Sequence, residues 1–118
     1  MTGFVISWSE APEDVLYVSG DTVWFEGTTE VARHFKIRTA ILFMGAARVP
    51  EITPHPLTMT ASDGIAAARA FPDATIIPLH YEGWAHFSES REVISTAFRA
   101  AGLERRLGWP EPGREIRL

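Results

Sequence analysis

Apolar residues in this chain gather in short runs separated by polar, Gly-rich and Pro-rich stretches, and the period inside the runs switches between that of a strand and that of a helix. Phe4–Trp8 predicts a strand. Glu10–Asp14 follows as a polar turn into a second strand over 15–19. After Gly20-Asp21-Thr22, the segment 28–35 places Val31, Ala32 and Phe35 at helical spacing, with Thr28 or Thr29 as its cap. Residues 39–44 are an almost wholly apolar third strand ending in Gly45-Ala46-Ala47, and a Pro-rich loop follows over 49–56. Thr60 or Ser62 opens a second helix through Ile65, the alanines 66–68 and Phe71, closed by Pro72. Residues 74–79 predict a fourth strand. Ser88 predicts the cap of a last helix whose apolar face is Val93, Ile94, Ala97, Phe98 and Ala101, stopped by Gly102. The tail, 115–118, predicts a short edge strand.

The order β-β-α-β-α-β-α implies an α/β architecture with one mixed sheet over a single domain, residues 1–118. Crossovers between parallel strands are nearly always right-handed, so strands added in one direction place every helix on the same face of the sheet. Yet Ile41-Leu42-Phe43-Met44 is apolar at consecutive positions, the mark of a strand buried on both faces. Turning half of those side chains to water would leave a large apolar patch. Only the Phe4–Trp8 hairpin and the tail remain to cover it, and they are small. The pattern predicts half of a layered fold, covered either by a missing amino-terminal half or by a second copy of the chain as a homodimer.

Composition narrows the function classes. With 118 residues the chain is long enough for a core of its own. A net charge of −4 argues against nucleic acid held through its phosphates. The absence of cysteine excludes disulfides, cysteine-ligated zinc and thiol nucleophiles, and fits a cytoplasmic location. No apolar run reaches membrane-spanning length, and the amino terminus lacks the basic start and long apolar core of a signal peptide. The expected partner is a small-molecule substrate, with neither nucleic acid nor membrane.

Two strands end at residues that ligate metals. Val15–Val18 leads to Asp21, and the strand over 75–79 leads to His80. The carboxyl ends of strands are where open α/β sheets keep their ligands, and Asp with His suits a divalent cation. Each has a plainer reading: Asp after Gly stabilises turns, and a lone strand-end histidine is commonly structural. His86 is a candidate substrate contact or support for another side chain, and equally a loop histidine bonded to backbone. Trp84 is a candidate substrate-facing or packing residue, and His55, stiffened by Pro54 and Pro56, a candidate pocket residue. His34, beside Arg33 and Lys36, reads as a solvated surface group, and Asp63 as a first-turn helix residue.

Leu16-Tyr17-Val18-Ser19-Gly20-Asp21-Thr22, then Ala61-Ser62-Asp63-Gly64, then Leu79-His80-Tyr81-Glu82-Gly83-Trp84-Ala85-His86-Phe87 together resemble the carboxyl-terminal half of metallo-β-lactamase-fold hydrolases, nearest to the ascorbate-phosphate-lactonase-like and phosphodiesterase-like branch. The resemblance runs from about Thr2 to Leu118. It implies a four-layer αββα sandwich of which this chain supplies one sheet and its helices. It implies Asp21 as a carboxylate bridging two divalent ions, zinc or manganese, and His80 as a ligand of the second. The implied reaction is hydrolysis of an ester, lactone or phosphodiester by a metal-bound hydroxide. The family's H-x-H-x-D-H motif is absent from these 118 residues, whose histidines are His34, His55, His80 and His86. The expectation is an incomplete site, weak metal retention and little activity from these residues by themselves. The alternative is a non-catalytic, self-associating half-domain.

Overall fold

A computed structural model describes residues 3–118; Thr2, where the resemblance begins, lies outside them. The elements follow the predicted order: β1 Phe4–Trp8, β2 Ala11–Val18, α1 Glu26–His34, β3 Ile37–Phe43, α2 Ala61–Ala70, β4 Thr75–Leu79, α3 Arg91–Ala100 and a 3-10 turn Glu104–Arg106. The sheet order is β1-β2-β3-β4, with β1 antiparallel to β2 and the remaining pairs parallel.

The boundaries differ from the sequence pattern where neighbours overrule it. β2 begins at Ala11, because the hairpin already pairs Trp8 with Ala11. Pro12–Asp14 is an exposed extension at the register shift of that hairpin, where a missing N–H costs nothing. β3 starts at Ile37 because Val15 pairs with it. α1 starts at Glu26, and Thr28 lies inside its first turn, buried, accepting from the Phe25 N–H and donating to the Phe25 carbonyl. Thr60 is the cap of α2, in a reciprocal box with Asp63. Ser90 rather than Ser88 caps α3, accepting from the Val93 N–H. The tail forms no strand among the described residues. Ile116, Arg117 and Leu118 instead line a cavity with Thr39, Thr75 and Ile77, and upstream of them Leu107 bridges Ile76 in parallel.

The register divides the sheet cleanly. Tyr17 lies beside Ala40 and Ala40 beside Ile76, on the face covered by the helices. There Leu42 and Ile76 pack with Ala67, Ala68 and Phe71 of α2 and with Ile94 and Phe98 of α3 in one buried cluster. The small side chains of α2 let it lie close to the strands. On the opposite face the register aligns Phe4 with Val18 and Ile41 with Ile77, and Ile6 with Leu16. Among the described residues no helix covers this face. Phe4 is 60% exposed, Trp8 44% and Ile6 42%. Ile116 and Leu118 close only its lower end, where Leu118 lines a cavity with Trp8, Leu16 and Arg38.

Because β2, β3 and β4 are parallel, the segments Ser19–Asp21, Met44–Ala47 and His80-Tyr81 all emerge at one edge of the sheet. Among the described residues no helix is long and apolar enough to cross a membrane.

Candidate metal centre

Asp21 is fixed by its neighbour two residues upstream. Ser19 is almost fully buried at the end of β2, and its N–H donates to the Ile41 carbonyl at 3.0 Å. Its hydroxyl accepts from the Phe43 N–H at 2.9 Å and donates to the Gly20 carbonyl at 2.9 Å. One small polar side chain thus welds the turn carrying Asp21 to the end of β3. Sequence reasoning passed over Ser19; the available signal was a hydroxyl closing an apolar strand.

His80 stands immediately after β4 with φ +60, in the left-handed region that a β-carbon disfavours. Its imidazole lies between two phenylalanines, stacked with Phe43 at 5.4 Å and edge-on to Phe87 at 4.9 Å. The backbone beneath it rests on Gly45, where a β-carbon would come within 2.7 Å of Tyr81 Cα and 3.0 Å of the His80 carbonyl oxygen. The Gly45 carbonyl in turn accepts from the Ser88 and Glu89 N–H groups, and Glu89 Oε2 accepts from the Ala61 N–H at the start of α2. The turn after β3 is the common seat of the His80 turn and the 86–89 segment.

These supports bring Asp21 Oδ1 and His80 Nδ1 to 3.6 Å from each other. That is too long for a hydrogen bond. Both atoms are shielded from water and neither has a partner among the described residues, although the side chains themselves remain 40% and 33% exposed. A buried carboxylate oxygen and imidazole nitrogen left facing each other are costly unless something satisfies both. Two donors each about 2.1 Å from one tetrahedral cation stand roughly 3.4 Å apart. The pair therefore fits a shared divalent ion, with an acceptor-only oxygen and a borderline nitrogen as its donors.

The other candidates do not join them. The His86 ring packs against Phe87, with centroids 4.8 Å apart, and is not in a group of ligating side chains with Asp21 and His80. Trp84 is 67% exposed and its ring lies 6.1 Å from that of His86. His55 is exposed on the Pro-rich loop, its N–H donating to Thr53 Oγ1. His34 lies on α1 beside Glu30, and Asp63 is engaged in the α2 cap. Among the described residues no three His, Asp or Glu side chains converge to hold an ion.

No family model matches the chain. Over 102 residues it is 30% identical to the "UPF0173 protein YddR" of Bacillus subtilis strain 168, covering 86% of this chain and 39% of that protein. Over 111 residues it is 27% identical to a "UPF0173 metal-dependent hydrolase" of Myxococcus xanthus strain DK1622, covering 94% and 36%. Among solved structures, a possible metal-dependent hydrolase from Veillonella parvula DSM 2008 superposes with a TM-score of 0.87 at 23% identity, over 98% of this chain and 43% of that one. The chain has part of a metallo-hydrolase fold. An isothiocyanate hydrolase from Delia radicum gut bacteria shares it, with a TM-score of 0.85, 24% identity and the same coverage. The chain spans less than half the length of each of these proteins.

Proposed function

We propose that this chain is the carboxyl-terminal half of a metal-dependent hydrolase and that Asp21 and His80 are its metal ligands. The observation that carries the reading is the facing, unsatisfied pair Asp21 Oδ1 and His80 Nδ1 at the carboxyl edge of a parallel sheet. Relatives described as metal-dependent hydrolases support it. When bound, divalent zinc or manganese ions supply a hydrolytic water acidified toward neutral pH and positive charge for the developing oxyanion. The residues of this chain hold and orient. Asp21, steered by Ser19, would hold the metal through its carboxylate. His80, clamped between Phe43 and Phe87, presents its imidazole in one orientation. Trp84, His86 and His55 are this chain's candidates for contact with a small ester, lactone or phosphodiester substrate. The remaining ligands come from a polypeptide segment outside these 118 residues or from a second copy.

Two ligands hold a metal weakly, since a zinc site normally takes at least three from protein. The purified chain is therefore expected to lose its metal on dialysis, and elemental analysis showing one tightly held zinc per monomer would contradict the two-ligand site. Co-expression with the unmatched portion of a relative tests the function through lactone, phosphodiester and β-lactam substrates. Asp21→Asn is expected to abolish turnover. His80→Asn, chosen because Asn tolerates positive φ, is expected to leave at most one metal and little activity, whereas His34→Ala leaves both unchanged. Activity that survives Asp21→Asn would remove the site assignment.

The bare sheet face favours a second reading, a non-catalytic half-domain that self-associates. A complex that binds two metals yet hydrolyses none of the substrates would favour it.

A further inference from the structure

The segment 107–112, which follows the 3-10 turn, runs along β4 and up to the turn that carries His80. Leu107 bridges Ile76, and the Gly108 N–H donates to the Ile76 carbonyl at 2.8 Å, so the segment docks on the free edge of β4. Trp109 then places its ring edge-on to Tyr81, with centroids 5.4 Å apart. The guanidinium of Arg91, the first residue of α3, lies 4.6 Å from the centre of the Trp109 ring, and its Nη1 donates to Glu111 Oε1 at 3.0 Å. Pro110, Glu111 and Pro112 finally face Leu79, His80, Tyr81 and Glu82 across a cavity of about 180 Å³.

We propose that residues 107–112 are a strap that holds the His80–Tyr81 turn against the end of β4, with Trp109 and Arg91 as positioning residues for His80. The proposal rests on the metal-ligand reading of His80 for its functional meaning, though not for its geometry. An L-residue at φ +60 relaxes toward negative φ unless its surroundings forbid it. From the β3 side Gly45 only makes room; it does not grip. Tyr81 is the grip, being buried directly after the strained residue, and the ring that buries it is Trp109. Rotation at His80 would swing Tyr81 away from Trp109, and Trp109 is held in turn by the cation above it, which Glu111 anchors. Burial raises the Tyr81 hydroxyl above the usual tyrosine range, and Arg91 opposes that rise, as expected for a guanidinium beside the phenol.

The test is nuclear magnetic resonance on the labelled 118-residue chain, reading the ring protons of His80. Their contacts with Phe43 and Phe87 report the position of the imidazole, while contacts within the α2–α3 core report the fold. In Trp109→Leu and Arg91→Gln the His80 contacts to both phenylalanines are expected to fall by at least half, with the core contacts unchanged. Arg91→Lys, which keeps a cation over the indole, is expected to retain most of them. Glu111→Gln is expected to give an intermediate loss and decides the matter if Trp109→Leu does not fold. Native His80 contacts in Arg91→Gln and Glu111→Gln would overturn the strap. Added Mn²⁺ separates the two readings, because failure to broaden His80 in the unsubstituted chain would count against the metal site while leaving the strap result intact.

Discussion

At the scale of single residues, the site is made by groups that carry no chemistry. Gly45 must be a glycine for two independent reasons: its φ is +88, and a β-carbon would press on Tyr81 Cα at 2.7 Å. Gly83 has a similar φ of +95 but open space around it, with no atom within 4 Å of a built β-carbon. The comparison separates conformational cost from steric cost. Gly83→Ala is expected to cost about 1–2 kcal/mol and Gly45→Ala about 2–4 kcal/mol in urea unfolding, with His80 displaced only in the second. Equal losses from the two substitutions would mean that the 80–81 turn yields without resistance. Ser19 belongs to the same class, since its hydroxyl fixes where Asp21 stands.

At the scale of elements, the ends of the helices are satisfied by distant chain. The carboxyl end of α2 relies on Arg106 of the 3-10 turn, whose Nη2 donates to the Phe71 carbonyl at 2.6 Å and Nε to the Ala74 carbonyl at 2.7 Å. Burial depresses the Arg106 guanidinium below its usual range, with Asp73 partly offsetting it. Arg106→Met keeps the stem and removes both hydrogen bonds, so a loss of about 2–3 kcal/mol is expected by chemical denaturation. Arg99, by contrast, is paired with Glu104 on the surface, and Arg99→Ala is expected to leave the midpoint of unfolding where it is. If the two arginines proved equivalent, the 3-10 turn would not be part of the cooperative fold.

At the scale of the whole molecule, the uncovered sheet face governs assembly. Phe4, Ile6 and Trp8 stand exposed beside the half-buried Val18 and Ile41, while Leu16 and Ile77 of the same face are buried. Patches of this kind mark interaction sites in soluble proteins. Light scattering of the purified chain at micromolar concentration is expected to give a dimer, as for obligate apolar interfaces. Ile6→Lys together with Phe4→Lys is expected to shift it toward monomer. A well-behaved monomer from the unsubstituted chain would show that the hairpin and tail suffice as cover.

The sequence by itself determined the order of elements and the placement of the helices on one face, because hydrophobic period and crossover handedness are properties of local chain and of chirality. It also singled out Asp21 and His80, because a ligating residue directly after an apolar strand is visible in one dimension. What it did not contain was their separation of 3.6 Å, which depends on the parallel register of β2, β3 and β4 and on the hydroxyl of Ser19. Nor did it contain the packing of both His80 and His86 against the one Phe87 ring. The α3 cap moved by two residues, from Ser88 to Ser90, and the α1 cap by at least three, to Phe25. The tail shows the limit most plainly. Residues 115–118 read as a short edge strand, but Ile116, Arg117 and Leu118 lie beside Thr39, Thr75 and Ile77 without joining the ladder, a position only the tertiary structure decided.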